Sequence, residues 1–191
     1  MDTLISPRDR TKVASAMSPD TIFVAPLSLV QATVADARVS HLVTLINGET
    51  MIDTPPTIEQ NRHLRLSMND ICDPQPGLVV PCESHVDELI QFALDWDKKA
   101  PLLIHCWAGI SRSTAAAFIS LCALNPDTDE HALARALRRA SPTAFPNRRL
   151  VALADSVLSR QGRMSQAVER IGRGQLAEEG QVFSLPARLA A

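Results

Sequence analysis

The segment from residue 101 to residue 119 constrains the fold more than any other part of this 191-residue chain. An apolar run at 101–104 leads into a loop that contains a glycine, and an Ala-rich run at 113–119 follows the loop. This order predicts a strand, a tight loop and a helix. Backbone N–H groups at the start of such a helix converge on one point, where they and the helix dipole bind an anion. The sequence therefore predicts an anion site where a strand meets a helix.

Cys106 and Arg112 lie at the two ends of that loop. The field that binds an anion also stabilises a thiolate, so we expect Cys106 to be a sulfur nucleophile. The guanidinium of Arg112 offers a planar fork of donors that suits two phosphate oxygens. The alternative is a buried structural cysteine that has a surface arginine nearby. The residues expected to bind phosphate, mostly through backbone N–H groups, are Trp107, Ala108, Gly109, Ile110, Ser111 and Arg112.

The pattern His105-Cys106-x5-Arg112-Ser113, with Gly109 inside it, resembles the signature loop of the cysteine-dependent protein tyrosine phosphatases. The sequence of residues 108–113 is most similar to the dual-specificity branch, and the surrounding sequence is similar to compact bacterial members. The resemblance extends more loosely over about residues 21–158. It implies an α/β fold with a mainly parallel central sheet flanked by helices on both faces.

The periodicity of the rest of the chain favours the same class of fold. It predicts strands near 21–25, 41–47, 62–68 and 102–106, and helices near 28–38, 82–98, 113–124, 128–140 and 147–161. Strands that alternate with helices are typical of a mainly parallel sheet. We expect a loose lead-in at 1–20 and one domain at 21–162. A helical turn or two and a loosely held tail are expected at 163–191.

The resemblance also implies a mechanism with a covalent intermediate. Cys106 would attack phosphorus and form a cysteinyl-phosphate, while the loop N–H groups and Arg112 bind the equatorial oxygens. The hydroxyl of Ser113 would hydrogen-bond the sulfur. His105 would be buried and would support the loop without acid–base chemistry.

A leaving oxygen needs a proton, and the resemblance places the aspartate that supplies it after the strand preceding the long helix. Asp70 directly follows the strand predicted near 62–68 and is the preferred general acid. Asp73 is the alternative general acid. Either residue, taken alone, also fits an Asx turn in a Pro-rich loop.

Four further residues near these segments receive predictions of their own. The Trp107 side chain is expected to pack behind the loop, with a place in the pocket wall as the alternative. Gly109 is expected to adopt a backbone shape that a side chain would obstruct. Asn147 matches a family position next to a proline, and we assign no chemistry to it. Cys72 is a candidate for a reversible disulfide with Cys106, or else a small apolar residue.

Composition narrows the classes of partner and cofactor. The chain has 19 Lys and Arg against 21 Asp and Glu, a net charge of -2, which indicates neither nucleic-acid nor membrane-surface binding. No apolar run is long enough to span a bilayer, and the first residues lack the apolar core of a signal peptide. The histidines and cysteines lack metal-ligand spacing, so we expect no metal and no cofactor. A thiolate enzyme needs a reducing compartment, which predicts the cytoplasm.

The leading functional hypothesis is a protein-tyrosine phosphatase, with dual specificity as an extension of it. A phosphoinositide or small phosphate-ester phosphatase is the enzymatic alternative. Its relatives often carry lysines in the loop, whereas Arg112 is the only charged residue in this one. A sulfurtransferase of the rhodanese type fits the spacing poorly. A catalytically inactive phosphate-binding module is the last alternative. The expected partner is a phosphorylated protein or a small phosphate ester, and the oligomeric state stays open.

Overall fold

A five-stranded sheet organises residues 18–189, the part of the chain that the computed structural model describes. Its strands are β1 (Thr21–Pro26), β2 (His41–Ile46), β3 (His63–Ser67), β4 (Leu102–Cys106) and β5 (Phe183–Pro186). They lie in the order β3-β2-β4-β1-β5, and β1 to β4 are mutually parallel while β5 runs antiparallel to β1. The prediction of a mainly parallel sheet is confirmed. Most of the predicted lead-in at 1–20 lies outside the described residues.

Within the described residues, six α-helices cover this sheet. They are α1 (Val30–Ala37), α2 (Glu83–Asp95), α3 (Arg112–Leu124), α4 (Glu130–Ala140), α5 (Arg148–Val157) and α6 (Arg163–Ile171). Helix α1 packs on one face, where Val30 and Val34 join a small apolar cluster with Leu42 and Leu103. Helices α2 to α6 join the larger core on the opposite face, as the family resemblance implied. Within residues 18–189, no helix combines the length and the apolar character needed to cross a membrane.

Successive side chains along β4 point to opposite faces of the sheet. Ile104 and Cys106 face the larger core, whereas Leu103 and His105 point to the other face of the sheet. All five residues of β4 are buried, as expected for a central strand of a parallel sheet. The carboxyl end of β4 therefore presents Cys106 at the edge where such sheets bind ligands.

The C-terminal segment is firmly attached, so the prediction of a loosely held tail is wrong for its described residues. Helix α6 packs against α4 and α5, and β5 pairs with β1 so that Leu185 lies opposite Ile22. A strand of four residues is too short to show a clear periodicity. The free edge of β1, whose N–H and C=O groups need partners, is what fixes β5 in place.

Candidate active site

The loop at 107–111 connects the end of β4 to the start of α3. Four of its carbonyls accept hydrogen bonds from backbone N–H groups of surrounding segments. The donor and acceptor pairs are Leu27 to Trp107, Gly180 to Ala108, Phe145 to Ile110 and Asn147 to Ser111. A trans peptide points its N–H away from its C=O, so the N–H groups of these four peptides, on Ala108, Gly109, Ser111 and Arg112, face inward. Within residues 18–189 none of these four N–H groups donates to a backbone carbonyl, which leaves them free for an anion.

Gly109 allows the loop to take this shape. Its φ is +70°, and a Cβ placed on it would lie 2.7 Å from the backbone nitrogen of Pro26 and 3.0 Å from the carbonyl carbon of Ala25. Both the left-handed backbone and the close approach of β1 exclude a side chain. The structure therefore gives the predicted requirement for glycine a specific cause.

Cys106 and Ser113 lie next to each other beneath the loop. Cys106 is 1% exposed, and its Sγ lies 3.1 Å from the Oγ of Ser113, which is fully buried. A hydroxyl that donates to sulfur stabilises its negative charge, before attack and again when the sulfur departs. The contact that the resemblance implied for Ser113 is present in the structure.

The guanidinium of Arg112 has only part of its hydrogen-bonding capacity satisfied. Its Nη1 donates to the carbonyl of Met68 at 2.7 Å, and the residue is 7% exposed. Its Nε is buried and has no hydrogen-bond partner within the described residues. An unsatisfied buried donor on a charged group costs about 1–3 kcal/mol, so an anion that accepts from Nε is stabilised here. The same Nε lies 3.8 Å from Oδ2 of Asp70.

Asp70, and not Asp73, lies beside the loop. Oδ1 of Asp70 accepts from Ser111 Oγ at 2.7 Å and from Asn147 Nδ2 at 2.8 Å, while its Oδ2 faces Arg112. Asp73 is exposed and makes no side-chain hydrogen bond or ion pair among the residues that the structure describes. Of the two aspartates considered as the general acid, Asp70 is the one that contacts the loop.

Asn147 is a site residue to which the sequence analysis gave no role. Its Oδ1 accepts from the N–H of Leu150 and caps α5, while its Nδ2 donates to Asp70. The neighbouring Arg149 donates to the carbonyls of Pro81 at 2.6 Å and Cys72 at 3.0 Å. Both side chains therefore brace the segment that carries Asp70. The step from Pro146 to Asn147 was the available sequence signal, but it did not reveal a partner so distant in the chain.

Trp107 and His105 differ in exposure, since Trp107 lies at the surface and His105 lies in the interior. The expectation that Trp107 packs behind the loop is wrong, because the residue is 57% exposed. The space behind the loop is occupied by β1 and by Gly180, whose N–H donates to Ala108. His105 is fully buried, as the resemblance implied, and burial lowers its pKa to about 4. His105 is therefore neutral at physiological pH.

The four cysteines, Cys72, Cys82, Cys106 and Cys122, are free thiols. Cys72 is exposed whereas Cys106 is buried, so the proposed disulfide between them stays a prediction. Across residues 18–189, no group of three or more His, Cys, Asp or Glu side chains is arranged to hold a metal ion.

No protein-family model and no curated protein matches the sequence, but solved structures match the fold. DUSP15 aligns with a TM-score of 0.54 at 19% identity, over 82% of this chain and 95% of that chain. PTPMT1 in complex with PI(5)P gives 0.54 at 16% identity, over 80% and 96%. A mouse putative dual specificity phosphatase complexed with zinc tungstate gives 0.55 at 17% identity, over 87% and 98%. The chain therefore has the fold of the cysteine-dependent protein tyrosine phosphatases in its dual-specificity form, as the signature loop indicated.

Proposed function

We propose that this protein is a phosphomonoester hydrolase, and more specifically a protein-tyrosine or dual-specificity phosphatase that uses Cys106 as nucleophile. One observation carries the proposal: a carboxyl, a guanidinium and a thiol meet at one anion-binding loop. Asp70 Oδ2 lies 3.8 Å from Arg112 Nε, and Ser113 Oγ lies 3.1 Å from Cys106 Sγ. This set supplies a proton donor, a phosphate clamp and a nucleophile for phosphoryl transfer.

In the first step, the sulfur of Cys106 attacks phosphorus, so that an S–P bond forms as the ester P–O bond breaks. The free loop N–H groups and Arg112 bind the equatorial oxygens and stabilise the charge that spreads over them. Asp70 donates its proton to the leaving oxygen. Because Oδ1 already accepts from Ser111 and Asn147, Oδ2 is the oxygen that carries the proton.

In the second step, water attacks the cysteinyl-phosphate. Asp70, now a carboxylate, takes a proton from this water and regains its acidic form. The S–P bond breaks, inorganic phosphate forms, and the thiolate of Cys106 departs toward the hydroxyl of Ser113. After the second step the sulfur of Cys106 is again free and Asp70 again carries its proton, so the site is ready for the next turnover.

The rim of the loop supports an aromatic phosphate ester as substrate. Arg112 is the only charged side chain of residues 107–112, which suits one phosphate group better than several. The exposed indole of Trp107 offers an apolar face to a phenyl ring. Glu179 accepts a hydrogen bond from Ser28, next to the point where Gly180 contacts the loop. Its negative charge disfavours polyphosphorylated headgroups.

We also propose that the protein acts in the cytoplasm on a phosphorylated protein. Catalysis needs the Cys106 thiol in its reduced form, and a reducing compartment preserves it. The free thiols of the described chain are compatible with such a compartment.

Hydrolysis of p-nitrophenyl phosphate in reducing buffer with a chelator tests the activity. Wild type and Cys72→Ser should turn over, whereas Cys106→Ser should lose turnover and still bind phosphate. A panel of phosphotyrosine peptide, phosphoserine peptide and PI(5)P then tests the substrate class. Preference for PI(5)P would favour the phosphoinositide alternative. Phosphate binding without turnover of any substrate would indicate an inactive binding module.

A further inference from the structure

A chain of buried hydrogen bonds runs from the signature loop across three strands. His105 Nδ1 lies 3.4 Å from the carbonyl oxygen of Cys106, and His105 Nε2 lies 2.7 Å from Oγ1 of Thr44. The same Oγ1 lies 2.8 Å from Nε2 of His63, and His63 Nδ1 lies 2.8 Å from Oγ1 of Thr54. These side chains come from β4, β2, β3 and the segment between β2 and β3.

Both imidazoles in this chain are neutral at physiological pH. Burial is the main cause in each case and lowers the pKa of His105 and the pKa of His63 to about 4. The positive charge of Arg112 acts on His105 in the same direction, and that of Arg65 acts on His63. Each ring therefore carries one N–H, and its other nitrogen can only accept.

The Cys106 carbonyl determines which group donates and which accepts in each of these hydrogen bonds. A carbonyl only accepts, so His105 carries its proton on Nδ1, and its Nε2 accepts from the hydroxyl of Thr44. Having donated its one proton, the Thr44 oxygen accepts from His63 Nε2–H. His63 Nδ1 then accepts from the hydroxyl of Thr54. The two histidines are thus in opposite tautomers.

The opposite assignment of donors and acceptors in these hydrogen bonds leaves an unfavourable contact. Thr54 Oγ1 also lies 3.0 Å from Oε1 of Gln60, and a donation there would require His63 to donate from Nδ1. Thr44 would then donate to His63 and accept from His105 Nε2, so that a lone pair of His105 faces the Cys106 carbonyl. A rotation of the exposed Gln60 amide, which exchanges its N and O atoms, removes this conflict at little cost.

Strand β1 offers no substitute donor to the Cys106 carbonyl. Pro26 pairs with Cys106 in the register of β1 and β4, and proline has no N–H. The next donor along the chain, the N–H of Leu27, is already used by the carbonyl of Trp107. His105 therefore supplies the donor that orients the peptide following the nucleophile.

We propose that Thr44 and His63 are positioning residues that hold His105 in the Nδ1–H tautomer and thereby fix the Cys106 peptide at the base of the anion cradle. Without the hydroxyl of Thr44, His105 can place its proton on Nε2, and the Cys106 carbonyl loses its donor. The first N–H of the loop, on Trp107, belongs to that same peptide. Its direction toward an anion therefore depends on Thr44 and His63.

Two-bond ¹H–¹⁵N correlation NMR of the full chain tests the tautomers directly. At pH 6.5, His105 should give the pattern of an Nδ1–H ring and His63 that of an Nε2–H ring. Identical tautomers, or a protonated ring at either position, would overturn the proposal. This measurement needs no turnover, so its outcome is independent of the proposed phosphatase activity.

A matched pair of variants tests the consequence for the nucleophile. Thr44→Val has nearly the same shape as threonine but lacks the hydroxyl, whereas Thr44→Ser keeps it. Alkylation of Cys106 by iodoacetate at pH 6 should be about tenfold slower in Thr44→Val and within about twofold of wild type in Thr44→Ser. Thr54→Val serves as the test if Thr44→Val fails to fold. Thr54 is the partly exposed last member of this series of hydrogen bonds, and its replacement should also slow the alkylation of Cys106. Wild-type alkylation in the folded valine variants would contradict the proposal.

Discussion

Asn147 donates a 2.8 Å hydrogen bond to Asp70, although 77 residues separate them in the chain. The same side chain caps α5 through the N–H of Leu150, so Asp70 is tied to the start of a helix. Asp70 is partly exposed, with 35% of its side-chain surface accessible, and it lies on a segment without regular structure. The contact with Asn147 therefore limits the motion of Asp70 relative to Arg112.

Replacement of Asn147 separates its two roles. Asn147→Asp keeps a capping oxygen but places a second carboxylate beside Asp70, so we expect turnover of an alkyl phosphate to fall at least tenfold with little loss of stability. Asn147→Ala loses the cap as well and should lower the free energy of unfolding by about 1 kcal/mol. Urea denaturation and steady-state kinetics measure the two effects. Unchanged turnover in the aspartate variant would exclude the positioning role.

Asp70→Asn tests the identity of the general acid. An amide cannot donate the proton in place of the carboxyl, so turnover of an alkyl phosphate should fall by about 10²–10³. The loss should be much smaller with p-nitrophenyl phosphate, whose leaving group needs little protonation. The matched control is Asp73→Asn, which should leave both rates unchanged because Asp73 is exposed and makes none of the contacts that Asp70 makes within the described residues. The opposite pattern would transfer the role to Asp73.

Gly109→Ala tests the close approach of β1 to the loop. The new Cβ would meet the Pro26 nitrogen at 2.7 Å, so the loop must shift and turnover should fall at least tenfold. Gly77→Ala is the control, because Gly77 has a φ of +76° but nothing within 4 Å of an added Cβ. It carries the backbone strain alone, about 1 kcal/mol, and should retain wild-type activity. Equal effects of the two variants would show that packing against β1 is unimportant.

The stability of the fold should decrease in mild acid because of His105. The unfolded chain binds a proton at this residue below about pH 6.5, whereas the folded chain does so only near pH 4. Between these values the unfolded state binds more protons, so stability is lost as pH falls, by about 1.4 kcal/mol per pH unit for one such group. Urea denaturation at pH 6 and pH 5 measures the slope. His105→Gln should show a smaller loss than wild type, and an identical slope would contradict this prediction.

Much of the site could be predicted because its residues are close in sequence. Cys106, Arg112 and Ser113 belong to one strand, loop and helix, whose local pattern fixes their relative positions. Asp70 could be preferred over Asp73 because it follows directly after a strand. These inferences depend on local order along the chain, which periodicity and turn residues report well.

Contacts between distant segments could not be predicted in this way. Nothing local to Asn147 indicates that its amide meets Asp70, and nothing local to Thr44 indicates two histidine partners from neighbouring strands. The exposure of Trp107 likewise depends on β1 and Gly180, which fill the space behind the loop. Such features arise only when the sheet assembles, because single-sequence patterns contain no information about which segments become neighbours.

The position of β5 affects the order in which the protein can mature during synthesis. This strand is C-terminal to every other described element, and yet it pairs with β1, the first strand. The N–H of the nearby Gly180 donates to the carbonyl of Ala108. Until the ribosome has made residues 180–186, β1 has an open edge and the signature loop lacks one of its outer supports. A chain that stops short of residue 180 would therefore contain Cys106 and Arg112 without this support and without the β5 pairing. The anion cradle is thus completed only after residues 180–186 have been added.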